Sequence, residues 1–188
     1  MYDFQKVDKT QVPDEVLDVF EARRDKLVGR GKAHEFPFEF FYRVDTDDNH
    51  VVYFARHNSE YTNSNIHGAV VWFEESTYFI NYVDGHVAGI SELRLIEKYD
   101  KKFKSFFKDK PFQGWTRTYD GFKGVGLATT RLFVQDQYCR QFYGLRLYSD
   151  SNTSIEMCRI WDGLVGDGIA KRWVCNRRYG NKRYRFIN

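Results

Sequence analysis

Apolar and polar positions along this chain change period repeatedly, and each change predicts an element. Tyr2 to Val7 reads as a short opening strand. Thr10 is a candidate helix cap, with Pro13, Asp14 and Glu15 in a favourable first turn. Val16, Leu17, Val19, Phe20 and Leu27 then form a helical stripe that fades at Gly29. Phe38 to Val44 and Val51 to Arg56 alternate as strands, with Pro37 just ahead of the first. Asp45 to His50 joins them. It lacks the glycine and distal glutamate of a calcium loop and reads as a solvated turn. Asn58 to Asn65 is polar and predicts a loop. Ala69 to Phe73, Tyr78 to Val83 and His86 to Leu95 predict three further strands, the last two joined at Asp84-Gly85, a strong tight-turn pair.

The second half begins with Ile96 to Lys110, aromatic and basic, whose Phe103, Phe106 and Phe107 share one helical face. An amphipathic helix covering the sheet is the simpler reading; an insertion that binds a partner, a substrate or nucleic acid is the other. Trp115 to Tyr119 predicts a strand and Thr129 to Phe142 a long helix. Arg146 to Asp150 predicts one more strand. Ser154 is placed to cap a helix carrying Ile155, Cys158, Ile160, Trp161, Leu164 and Val165, which Gly166 and Gly168 end. Ile169 to Phe186 closes the chain as a hairpin turning at Gly180-Asn181.

Composition narrows the classes. The chain has 188 residues, 42% of them apolar, which suits one domain with a substantial core. Aromatics reach 18%, a composition that also lines clefts and interfaces. A net charge of only +3 gives no global case for a polyanionic partner. The basic, aromatic tail from Lys171 to Arg185 reads as an edge hairpin protected by its cations, in preference to a nucleic-acid surface. Cys139, Cys158 and Cys175 are widely spaced, and the five histidines lack ligand spacing, so no metal is expected. Reduced thiols, the absence of a signal peptide at Met1 to Lys6 and the absence of a long apolar run point to a cytoplasmic protein without a membrane partner.

The segment richest in chemistry is Lys123-Gly124-Val125-Gly126-Leu127-Ala128, between a strand and a helix. Its glycines allow a tight turn and close backbone approach to a ligand. The helix start behind them offers unpaired N–H groups and a positive dipole end, together a cradle for phosphate or pyrophosphate. The segment resembles the acyl-coenzyme A loop of the GNAT superfamily of N-acyltransferases, which reads Arg/Gln-x-x-Gly-x-Gly/Ala. Lys123 takes the first place, where the family has Arg or Gln; Gly126 takes the fourth and Ala128 the last. The hairpin from Phe79 to Gly89 and the order of elements resemble the same family.

The resemblance implies an α+β, GNAT-like fold over residues 1–188: a mixed, largely antiparallel central sheet with helices on both faces, an insertion over 96–114 and a terminal hairpin over 169–188. It implies acyl-coenzyme A-dependent N-acyltransfer, with acetyl-CoA as cosubstrate and an amine of unknown type as acceptor. The strand from Trp115 to Thr118, Arg117 included, would then supply backbone contacts to the pantetheine arm, and Lys123, Gly124, Gly126, Ala128 and Thr129 would hold the pyrophosphate. Ser154 would bind near the thioester or serve only as a helix cap. Glu92 is the preferred base, with an outward-facing strand residue as the alternative; Tyr119 and Asp120 are weaker choices. The family places a Tyr in its last large helix, in a pattern like Asn-x-x-Ala-x-x-x-Tyr. Here Ser154, Met157 and Trp161 stand at those places, and an indole is no phenol-like acid. Tyr148 is the preferred substitute, with Tyr143 behind it. These departures motivate the alternative, a catalytically inactive GNAT-like binding or structural protein, phage-encoded and virion-associated. It would act through a protein partner or a second copy and would reside in the virion or the host cytoplasm.

Overall fold

The tight turn at Asp84-Gly85 and the polar turn after Asp47 set the architecture, because each folds one strand directly back on its predecessor. In the computed structural model, which describes residues 1–28, 38–47, 49–65, 68–98, 110–150, 153–176 and 181–187, the chain is α+β. Six strands lie in sequence order in one sheet: β1 (Gln5–Val7), β2 (Glu39–Asp47), β3 (His50–Asn65), β4 (Gly68–Val83), β5 (His86–Lys98) and β6 (Phe112–Thr118). Each neighbouring pair is antiparallel. Helix α1 (Asp14–Val28) follows β1; α2 (Leu127–Tyr138) and α3 (Ile155–Gly166) follow β6. The hairpin β7 (Ala170–Asn176) and β8 (Asn181–Phe186) comes last.

A short segment stitches that hairpin to the main sheet. Tyr148 makes a parallel bridge to Phe112 and an antiparallel bridge to Arg185. The Gln113 N–H donates to the Tyr148 carbonyl at 2.7 Å, and the Tyr148 N–H donates to the Pro111 carbonyl at 3.0 Å. On the other side, the Ser149 N–H reaches the Tyr184 carbonyl at 2.9 Å. The strand expected over Arg146 to Asp150 is therefore reduced to a few bonds around Tyr148. Beyond them β6 and this segment make no further bridge among the described residues.

Alternation along the strands supplies two cores. Val52, Phe54, Phe79 and Leu93 face α2 and α3, where they meet Leu132, Tyr138, Leu147, Met157 and Trp161. Their neighbours Tyr53, Ala55, Tyr78, Ile80 and Ile90 face α1 and pack on Val12, Val16 and Phe20. Helices thus cover both faces of the sheet. Burying a side chain of this size is worth about 1.5–3 kcal/mol, so the short stripe Val16–Phe20 is enough to hold α1 down.

Three elements differ from the sequence expectation. Asn58 to Asn65 is strand, paired residue for residue with Gly68 to Glu75. The register, including Tyr61 opposite Trp72 and Thr62 opposite Val71, outweighs the polar character that suggested a loop. Ala69 to Phe73 and Tyr78 to Val83 are parts of one strand, β4. The expected helix over Ile96 to Lys110 begins instead as the end of β5, and 99–109 lie outside the described residues. The hairpin tip at Gly180 and the end of the α1 stripe at Gly29 also lie outside them.

The last turn of the long helix widens into a π-helical turn, Cys139–Tyr143, ended by Gly144 at φ 65°. It carries Tyr143 over the sheet, where the Tyr143 hydroxyl donates to the buried Glu75 carboxylate. Arg56 lies 3.6 Å from the same carboxylate. Burial, reinforced by the charges of Tyr138 and Glu75, raises the Tyr143 pKa far above the ordinary phenol range.

Two outcomes follow from this packing. A Cβ on Gly89 would sit 2.8 Å from the Arg117 carbonyl oxygen and would overlap the Arg131 guanidinium. Gly89→Ala should therefore cost about 1–3 kcal/mol in urea unfolding. Tyr143 stays protonated when folded but ionises near pH 10 when unfolded. Its contribution is complete below about pH 10 and is lost as pH rises above that. Tyr143→Phe should show a shallower loss of stability than the parent between pH 9.5 and 11, read by urea melts at each pH.

Candidate functional site

Between β6 and α2 the chain reverses through three glycines with positive φ: Gly121 at 90°, Gly124 at 84° and Gly126 at 82°. Residues with a Cβ rarely adopt that conformation, so the turn depends on glycine here. Gly126 stands at the N-cap of α2 and offers no side-chain cap. The first helical bond runs from the Thr130 N–H to the Gly126 carbonyl at 3.0 Å. Among the described residues, none of the N–H groups from Gly124 to Thr129 meets a protein acceptor. No acidic residue occupies the first turn of α2, so the positive end of the helix dipole is uncompensated.

Gly124 and Gly126 to Thr129 edge a cavity of about 610 Å³ between β6, the glycine turn and α3. Thr116, Arg117 and Thr118 form the strand wall; Ser154, Glu156, Met157 and Ile160 form the opposite wall. The volume lies within the range of small-molecule sites, about 300–1,000 Å³. The cavity's ionised side chains balance. Lys123 pairs with Asp120 at 2.7 Å, and this contact holds the Asp120 carboxyl below its usual range. Arg117 and Glu156 contribute one charge of each sign. The Glu156 carboxyl is also held low, first by its own backbone N–H and then by the Ser154 hydroxyl. Ser154 caps α3 as well, accepting from the Met157 N–H at 3.3 Å.

Behind the strand wall lies a charge that the sequence did not announce. Arg131, on the inner face of α2, is fully buried. Its guanidinium donates to Ser91 Oγ at 2.6 Å, Thr118 Oγ1 at 3.0 Å, Thr116 Oγ1 at 3.2 Å and the Arg117 carbonyl at 3.3 Å, and also to Asn81 Oδ1. No carboxylate pairs with it among the described residues. Burial lowers its pKa to about 9. A trace of this arrangement exists in the sequence: four polar residues stand at inward positions of neighbouring strands, opposite an Arg on the apolar side of a helix.

The structure gathers Arg117, Thr118, Lys123, Gly124, Gly126, Ala128, Thr129 and Ser154 around the one cavity. Thr116, within the strand expected to hold the arm, and Met157 join them, as do Phe122, Leu127 and Ile160, which were given no site role. Three of the expected site residues lie elsewhere. Trp115 points to the α1 side, where Arg23 stacks on it at 3.7 Å. Glu92 lies on that side too, where Tyr78 Oη (3.2 Å) and Ser76 Oγ (3.4 Å) donate to it. Tyr148 packs on Ile96 and Phe112, and its hydroxyl accepts from Arg185 at 3.3 Å. Trp161 is fully buried and stacks on Tyr184. Of the earlier alternatives, Asp120 reaches the cavity and Tyr143 lies under the π-helical turn.

No family model, curated protein or solved structure matches this chain. Among the described residues, no group of three or more His, Cys, Asp or Glu is arranged to hold a metal ion. Nor is any of their helices long and apolar enough to cross a membrane.

Arg131→Lys should be costly although charge is retained. An ammonium has three donors against the guanidinium's five, so buried oxygens on β5 and β6 lose their partners. The expected loss is about 3 kcal/mol of unfolding free energy, measured by denaturant titration.

Proposed function

We propose that the glycine-turn cavity binds the diphosphate of an acyl-coenzyme A, and that the chain is a GNAT-like N-acyltransferase passing an acetyl group to an amine. One observation carries this reading: Gly124 and Gly126 to Thr129 line a cavity, and among the described residues their backbone N–H groups meet no protein acceptor. The paired side-chain charges around it add no net attraction, so binding falls to the directed N–H groups and the helix dipole. The donor set fits a diphosphate, whose oxygens accept several hydrogen bonds at once.

The topology supports the same reading. Among the described residues, β6 touches the Tyr148 segment through one parallel bridge and no further one, and the two are followed by α2 and α3 respectively. Separation of two such strands leaves backbone groups of β6 available to an extended arm. Thr116 and Thr118 form the wall along which that arm would lie, with Ser154 and Met157 opposite. Bound coenzyme would supply the activated acyl group as a thioester. The chain's part would be to hold it and to exclude water with Met157, Ile160 and Leu127.

A second reading, binding without turnover, has its own support. Tyr148 and Trp161 lie outside the cavity wall, and among the described residues no Tyr lines the cavity. No phenol is therefore placed to protonate a leaving thiolate.

Calorimetric titration with acetyl-CoA tests the first claim. Saturable binding is expected, and Gly126→Val should weaken it about tenfold, because a side chain at φ 82° strains the turn. Absence of heat at millimolar ligand would remove the coenzyme. Binding without release of thiol, across a panel of small amines and lysine peptides, would select the second reading.

A further inference from the structure

The far side of β6 carries a feature that the cavity does not use. The register between β5 and β6 slips where Glu92 stands opposite Gly114 and Trp115. Such a bulge turns side chains on the longer strand toward one face. Glu92 lies directly over Gly114: a Cβ there would be 2.8 Å from Glu92 Oε2, so the absence of a side chain at 114 makes room for the carboxylate. Tyr78 and Ser76, both buried, donate their hydroxyls to Glu92 Oε1 and hold the carboxylate in place. Beside it Trp115 is 39% exposed. An indole open to solvent next to an anchored carboxylate is the chemistry that receives an alkyl cation.

The ring is already covered by one. The Arg23 guanidinium, from α1, sits 3.7 Å from the Trp115 ring centroid. Neighbouring Arg24 pairs with Asp25, whereas Arg23 makes no ion pair among the described residues. Its described partner is the indole face.

We propose that Trp115 and Glu92 form a seat for an alkylammonium or alkylguanidinium group, and that Arg23 occupies the indole half of this seat in the unliganded protein as a competing, tethered occupant. A cation–π contact at an exposed site is weak enough for a ligand at millimolar concentration to displace it. The seat deepens the proposed function by giving its acceptor a positive charge, and it rests on that reading for the acceptor role alone. The binding itself does not depend on the coenzyme.

Agmatine, which carries both cationic groups on one short chain, is the probe. The signal is the fluorescence difference between the parent and Trp115→Phe, recorded without coenzyme. Saturable quenching is expected in the parent. Arg23→Ala and Arg23→Gln should both tighten agmatine about two- to fivefold by removing the competitor. Glu92→Gln should weaken it about threefold or more. Unchanged affinity in both Arg23 variants, or quenching that persists in Trp115→Phe, overturns the proposal; so does displacement of Arg23 by inorganic pyrophosphate but not by agmatine. Agmatine binding without acetyl-CoA binding keeps the seat and removes the acceptor role. Acetyl-CoA binding without an agmatine signal removes the seat and keeps the cavity.

Discussion

A buried arginine without a carboxylate constrains most of this structure. Arg131 spans the space between α2 and the sheet, and its fork engages oxygens on β4, β5 and β6 together. A guanidinium removed from water is tolerable only if its N–H groups find partners. That requirement fixes Asn81, Ser91, Thr116 and Thr118 as polar at positions that would otherwise be apolar. It also fixes Gly89 as a residue without a side chain, because the guanidinium lies against its α-carbon. The start of α2 is consequently pinned to β6 at the level where the glycine turn leaves the strand.

That pin gives the turn its chemical character. A helix N-terminus held against a strand cannot swing out to bond its own loop, and Gly121, Gly124 and Gly126 keep the intervening backbone in a left-handed course. The amides from Gly124 to Thr129 stay unpaired as a result. Lys123, the obvious cation of the loop, is engaged by Asp120. Exposed pairs of this kind contribute little to stability, but they cancel charge locally. The cavity therefore relies on dipoles and directed donors, with the positive charge of Arg131 one layer behind Thr116 and Thr118.

The sequence made the turn legible because glycine has a specific backbone consequence. Two glycines between a strand-like and a helix-like run, followed by a small residue, are hard to accommodate in another way. The Ser154 cap and the Asp84-Gly85 turn were legible for the same reason: each is a local rule with a local cause. Polar tracts were less readable. Asn58 to Asn65 looks like a loop until its partner strand is known, since cross-strand pairing is a property of two segments. Arg131 was hidden because its compensation is spread over three strands distant in sequence. Glu92 and Trp115 were named, but their side of the sheet was not available, because a one-residue bulge at Gly114 resets the alternation on which such an assignment depends.

The bulge also explains how one strand serves two faces. Before it, Gln113 pairs opposite Leu93; after it, Thr116 pairs opposite Ser91. The residues in between, Gly114 and Trp115, have only Glu92 across from them. Regular pleating would have left an inward-facing side chain at this level, against α2 and the cavity wall. Trp115, next to the inward-facing Thr116, turns toward α1 by ordinary alternation, and the missing side chain at Gly114 leaves room for Glu92 to lie over it. Thr116 and Thr118 can then resume the alternation in phase with Arg131. One inserted residue thus reconciles a polar wall that must bind a guanidinium on one face with an aromatic, acidic surface on the other.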